Sequence, residues 1–225
     1  QDAGELVHLR QQVPAEIPPQ QNAERIAREA GVFRDGDWVM WLDADEFLLP
    51  TGENMLDGLI ARIGDADAIM IAWRFFGDGN NKAWPGRHVS EYFTRAAPRH
   101  RGGGAQVKTL FRYSDKIERL DIHRPILKPT VDSSQFKVVT SSGKPASQEF
   151  FERTRKNAFN RVPDGKGAYR LAQVAHFSVR TPDLFHQKIR RGDGYLRKAE
   201  GDKLRDEQFY QKKNFNGTEE KGLLR

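Results

Sequence analysis

Apolar residues along this chain fall in short runs separated by polar turns. Residues 68–76 form a near-continuous apolar run, the pattern of a strand covered on both faces, and residues 37–42 repeat it over a shorter length. Ala23, Ile26 and Ala27 recur at helical spacing ahead of Gly31, so residues 20–31 predict a helix with a glycine C-cap. Residues 55–63 predict an amphipathic helix. Thr181-Pro182-Asp183 opens another, with Thr181 as N-cap and Pro182 in the first position, running to Arg191 and stopping at Gly192.

Shorter strands are expected at 5–10, 107–113, 118–123, 126–131 and 173–179, and a helix at 149–160. Residues 13–19, with three prolines, read as a loop, and 77–104, rich in Gly, Pro and Arg, as a long one. The charged stretch 197–225 reads as a solvated helix with a frayed end. The alternation of helix and strand predicts an α/β fold with a mostly parallel sheet flanked by helices and a small antiparallel extension.

Composition narrows the class. With 37% hydrophobic and 30% charged residues, the chain reads as globular rather than disordered. There is no cysteine, which excludes disulfides and thiolate metal sites and makes a reducing, cytoplasmic setting the expectation. A net charge of +6 favours anionic partners such as nucleotide phosphates, anionic lipid or nucleic acid. No apolar run approaches the roughly 20 residues that span a bilayer, although loose association with the inner face of a membrane fits the basic surface.

The densest chemistry lies in Trp38-Val-Met-Trp-Leu-Asp43-Ala-Asp45-Glu46-Phe-Leu-Leu-Pro50. A buried strand cannot carry bare carboxylates, so the acids mark where it emerges, and in open α/β sheets ligands bind at such exits. Asp43 and Asp45, two residues apart on one face of an extended chain, suit a hard divalent cation that itself holds phosphate oxygens. The competing reading is a solvated strand-to-loop junction.

Other candidates are weaker alone. His176 at a late strand exit suits a third metal ligand, and Lys188 and the arginines of the next helix suit a diphosphate; a structural histidine and an ordinary basic face compete. Lys108, on an apolar strand, either snorkels to solvent or meets an anion. His123, before Arg124-Pro125, reads as structural or as part of the site. Trp73 ahead of Gly77-Asp78-Gly79, with Glu91 beyond, suits a sugar: aromatic faces stack while an acid takes a hydroxyl proton. A buried edge and a backbone-shaping turn compete with that.

Taken in order, these segments resemble a family 2-like glycosyltransferase of the GT-A fold, in the bacterial branch with a D-x-D-E-F signature. The matching residues are Gln21 and Ala23, Asp37-Trp38-Val39, Leu42 through Leu48, Trp73 with Phe76-Gly77, and Glu91-Tyr92-Phe93. Val107-Lys108, His123-Arg124-Pro125, His176-Phe177, Lys188 and Arg191-Gly192 follow. The resemblance implies a hexosyltransferase-type enzyme moving a sugar from a nucleotide-diphosphate donor, often a UDP-sugar, to a glycan or other hydroxyl acceptor, with inversion. It implies polysaccharide or surface-glycan assembly as the setting.

Asp43, Asp45 and His176 would hold Mn²⁺ or Mg²⁺. Asp78 or Glu91 would be the base, and Glu46, Trp73, Lys108, His123, Arg180, Lys188 and Arg191 would bind substrate. Arg180 stands where many relatives have Lys. Residues 1–195 would be the GT-A-like domain and 196–225 a charged C-terminal tail. Only 42 residues precede Asp43, too few for the β-α-β portion that opens a GT-A fold, so the chain is expected to be an N-terminally truncated piece of a longer enzyme.

Rival classes are a metal-dependent phosphoryl-transfer enzyme or nuclease, a nucleic-acid-binding module, and an inactive nucleotide-sugar-binding remnant. The absence of a second dense acidic cluster counts against the first. The carboxylates, and aromatics that sit on apolar strands apart from the basic run, count against the second.

Overall fold

Strand β3 (Ala68–Phe75) organises the molecule because both of its faces are apolar. In the computed structural model, which describes residues 6–53, 55–102, 106–151, 167–191 and 205–224, its residues alternate between two cores. Ala68, Met70 and Ala72 pack with Val107, Phe111 and Phe136. Ile69, Ile71 and Trp73 pack with Leu110, Val174 and the helical residues Leu59 and Ile63. Full burial of each large side chain contributes about 1.5–3 kcal/mol.

The remaining strands assemble around β3. They are β1 (Trp38–Met40), β2 (Glu46–Pro50), β5 (Val107–Arg112), β8 (Val138–Thr140) and β9 (Ala172–His176). The order across the sheet is β1-β5-β3-β9-β2. The β1–β5, β5–β3 and β9–β2 pairings are antiparallel. Parallel pairing is confined to one edge of β3, where β8 meets its first residues and β9 its last. The sheet is therefore mixed, not mostly parallel as the helix–strand alternation suggested. An antiparallel strand covered on both faces carries the same unbroken apolar run as a parallel one.

Helix α1 (Pro19–Glu29) starts on a proline whose missing N–H costs the helix nothing. It is tied to the hairpin of β6 (Ile117–Leu120) and β7 (Pro125–Leu127) by Glu24, which accepts from the Leu120 amide at 3.0 Å. Helix α2 (Met55–Ile63) covers one face of β3 through Leu59 and Ile63. The long loop after β3 holds a short helix, α3 (Val89–Tyr92), and a two-residue strand, β4 (Arg95–Ala96). Helix α4 (Pro182–Arg191) follows β9 closely, as its start signal predicts.

Four expectations are corrected. Residues 6–10 form no strand. Strands β2 and β8 were not foreseen. A 3-10 turn occupies Gln148–Phe151 where a helix was expected, and residues 152–160 of that expected helix, like Gly192, lie outside the described residues.

The C-terminal stretch is also not a solvated tail over residues 205–224. Helix α5 (Glu207–Lys213) is capped by Asp206, and its Tyr210 is buried against Phe185 of α4, ring centroids 5.0 Å apart. Strand β10 (Thr218–Glu219) then pairs with β4. Beyond it, Glu220 takes the fully buried Arg74 guanidinium at 2.5 Å. Charge density hid this packing, because the Phe209–Tyr210 pair is short. Among the described residues no helix is long and apolar enough to cross a membrane.

Candidate functional site

Because β1 and β2 lie at opposite edges of the sheet, the five residues joining them must cross the ends of β5, β3 and β9. Those five residues include Asp43 and Asp45. Topology thus sets the acids over a sheet end, beside Trp73 and Phe75 of β3 and His176 of β9. A cavity of about 510 Å³ opens there. It is bordered by the acid turn, by those aromatic rings, by His123, and by cations from α4 and the C-terminal segment.

The two aspartates live differently. Asp43 accepts from Gln20 Nε2 of α1 at 2.7 Å and from Lys108 Nζ at 3.1 Å. The same ammonium lies 3.1 Å from Glu46 Oε2, and that carboxylate also accepts from the Asp43 backbone N–H at 3.0 Å. The Lys108 and Glu46 side chains are fully buried. Burial raises the Glu46 pKa to about 7 against the pull of Lys108. Both residues lie beneath the cavity and brace the turn, so the expectation that they bind substrate is corrected: the Lys108 ammonium is taken by protein carboxylates.

Asp45 faces the cavity. Its carboxylate is held by Lys188 of α4, which also donates to the Ser178 carbonyl at 3.0 Å. Burial works against the ionised form of Asp45, but His176, Lys188 and Arg180 outweigh it and hold the carboxyl below its ordinary range. His176 Nε2 lies 3.9 Å from Asp45 Oδ1, and Nδ1 lies 3.9 Å from Glu46 Oε1. Neither distance is a hydrogen bond, and both Nδ1 and Glu46 Oε1 are buried without a partner. Burial depresses the His176 pKa to about 3, so the ring is neutral near pH 7. Trp73 packs edge-on against it at 4.4 Å.

The cavity wall opposite is cationic. Arg180, at the junction of β9 and α4, has φ of 54°, a left-handed conformation that costs a non-glycine residue free energy. Its carbonyl is held by the Tyr210 hydroxyl at 3.1 Å. Lys188 and Arg191 come from α4, and Arg205 and Lys213 from the C-terminal segment. Lys213 Nζ sits 4.0 Å from the Phe75 ring centroid, a cation–π contact.

The structure therefore gathers Asp43, Asp45, His176, Trp73, His123, Arg180, Lys188 and Arg191 around one cavity. Besides Glu46 and Lys108, which lie beneath it, the cavity leaves out the two expected acids Asp78 and Glu91. The Asp78 carboxylate accepts from Tyr210 Oη at 2.7 Å, Asn214 Nδ2 at 2.8 Å, Asn216 Nδ2 at 3.0 Å and the Asn80 amide at 2.7 Å. Burial opposes its ionised form, but these donors win and keep its pKa low. Asp78 anchors the C-terminal segment instead of taking a proton. Glu91 projects from α3 toward Arg87, 3.9 Å away, and does not border the cavity.

Gln20, Phe75, Phe209 and Lys213 border the site and were not foreseen. The signal was present for α5: an Asp206 cap ahead of Phe209 and Tyr210 at the centre of a charged run. The chain matches no protein-family model, no curated protein and no solved structure. The geometry alone bears on function.

Proposed function

We propose that this cavity binds a nucleotide-diphosphate sugar and that the chain, on a GT-A-like fold, transfers the sugar to an acceptor hydroxyl. The observation behind this reading is the pairing of a cationic wall with an aromatic floor around Asp45. Arg180, Lys188, Arg191 and Lys213 offer several positive charges within one site, which suits a diphosphate. Trp73 and Phe75 give the cavity an aromatic border beside which a sugar or a base packs. The volume lies in the range of about 300–1,000 Å³ typical of small-molecule sites.

A divalent cation fits the donor set on one side of the turn. Mg²⁺ and related ions take one or two protein carboxylates and complete their shell with phosphate oxygens and water. Asp45 is ionised, His176 is neutral, and the two face each other, so these residues would hold Mn²⁺ or Mg²⁺. Asp43 braces the turn. Among the described residues no group of three or more histidine, aspartate or glutamate side chains is placed to hold an ion. Bound there, the cation supplies positive charge against the leaving diphosphate.

The chain's own residues do the rest. Arg180 and Arg191 present planar guanidinium groups that bond phosphate oxygens in pairs. Lys188 is shared between Asp45 and the Ser178 carbonyl and adds charge where the diphosphate would leave. The α5 segment borders one side of the cavity through Phe209 and Lys213 and is held in place by Asp78. Inversion of the anomeric centre follows the resemblance.

The test is incubation of the chain with UDP-glucose, UDP-galactose, UDP-N-acetylglucosamine and GDP-mannose in Mn²⁺, following release of the nucleotide diphosphate. Release from at least one donor, lost in Asp45→Ala and Arg180→Ala, is expected. Cleavage of a plain phosphodiester with no release from any donor would replace this reading with phosphoryl transfer.

A further inference from the structure

With Asp78 and Glu91 outside the cavity, a transferase built on it needs another group to take the acceptor proton. Among the described residues bordering the cavity, the only carboxylates are Asp43 and Asp45, and each is already paired with a lysine. His123 is not paired in that way. It follows β6 in the hairpin and borders the cavity with a half-buried ring.

Its Nδ1 lies 2.8 Å from the Val107 carbonyl oxygen. A carbonyl only accepts, so Nδ1 carries the proton, and in the neutral ring Nε2 carries a lone pair. No described residue bonds Nε2. The position is fixed from two further sides. Thr109 Oγ1 donates to the His123 carbonyl at 2.6 Å, and the ring lies 5.5 Å from Trp73, centroid to centroid. Trp73 in turn packs against His176.

We propose that His123 is the general base of the transfer reaction, accepting the acceptor's hydroxyl proton at Nε2. This rests on the reading of the cavity as a nucleotide-diphosphate-sugar site. As the acceptor oxygen bonds the anomeric carbon, its proton moves to Nε2. The bond from that carbon to the diphosphate oxygen breaks, and its electron pair leaves with the nucleotide diphosphate. The imidazolium then returns the proton to solvent.

The surroundings keep the ring neutral and ready. Burial and the Lys108 charge depress its pKa from the ordinary histidine value, while the Val107 carbonyl, Asp121 and Asp43 oppose that shift. Such a base contributes about 10²–10⁴-fold to rate.

The experiment compares wild type with His123→Asn, whose side-chain amide keeps a donor for the Val107 carbonyl but has no basic nitrogen. Binding of UDP and GDP is measured by calorimetry at saturating Mn²⁺, and diphosphate release from the four donors above is followed with water as acceptor across pH 5–9. The expected result is unchanged nucleotide affinity and melting temperature, a fall in release of about 10²-fold or more, and loss of the acidic limb of the pH profile. Partial recovery of His123→Ala by added imidazole is expected as well.

Normal nucleotide binding with undiminished release in His123→Asn would overturn the assignment of His123 alone. Failure of the wild type to bind either nucleotide would overturn the reading of the site, and this proposal with it.

Discussion

Within the four consecutive residues 43–46 of the acid turn, Asp43 with Glu46 and Asp45, which faces His176 of β9, do opposite work. In the first half a fully buried lysine from β5 is clasped by two carboxylates, which also accept from a helix side chain and a backbone amide. In the second half the carboxylate borders a cavity and is bonded directly by a lysine from α4, beside a neutral histidine whose Nδ1 has no partner. The same motif thus contains a brace and an edge that borders the cavity. An acidic motif reads as chemistry only where its charge remains available to a ligand.

The sharpest way to break this contrast is Lys108→Ala. Removing one partner of a buried ion pair leaves the other uncompensated, a loss of about 3–5 kcal/mol. Urea unfolding should show it, with Lys108→Met and Glu46→Gln together recovering much of it. A loss below about 1 kcal/mol, the scale of an exposed pair, would mean that the brace is not buried as described.

Gly77→Ala should cost less, about 1–3 kcal/mol. A Cβ there would lie 2.5–2.6 Å from the Asn214 and Asn216 side-chain oxygens and the Phe215 carbonyl, so the C-terminal segment must shift. Its removal from the cavity should weaken UDP binding and leave the acid turn in place, which proteolysis of residues 205–224 in the two proteins would report.

The brace should also show in pH dependence. Glu46 is protonated in both states below about pH 4.5 and ionised in both above about pH 7. Between these values the folded state binds the extra proton, so stability from this group is complete at the acidic end and is lost as pH rises to about 7. Glu46→Gln should lack that decline, so the stability difference between wild type and variant should change across the window and level off above it. A difference independent of pH would refute the assignment.

A further effect on stability belongs to the half that faces the cavity. Asp45→Asn should lower the unfolding free energy by about 1.5–3 kcal/mol, because the amide gives up the charge that meets the largely buried Lys188 but keeps an oxygen to accept from it, while removing diphosphate release.

Much of this arrangement was legible where one physical signal dominates. The apolar run of β3, the amphipathic α2 and the Thr-Pro-Asp start of α4 declare themselves, and so did the acids, His176 and the basic face of α4. Three things were not legible. Strand direction is set by which edges meet, and Val138–Thr140 is too short to carry a period. Asp78 and Glu91 sit at positions that composition cannot distinguish from a catalytic acid; only the Tyr210, Asn214 and Asn216 donors, more than 130 residues away, show what Asp78 does. Lys108 is likewise the residue its sequence suggested, a lysine meeting an anion, but the anion is the protein's own.

The most direct test of the account is calorimetric titration of UDP and then GDP, with and without Mn²⁺, into the wild type and Asp45→Ala. The account predicts binding of at least one nucleotide that requires the cation and disappears in the variant. Binding that is indifferent to both the cation and Asp45, or no binding at all, would contradict it.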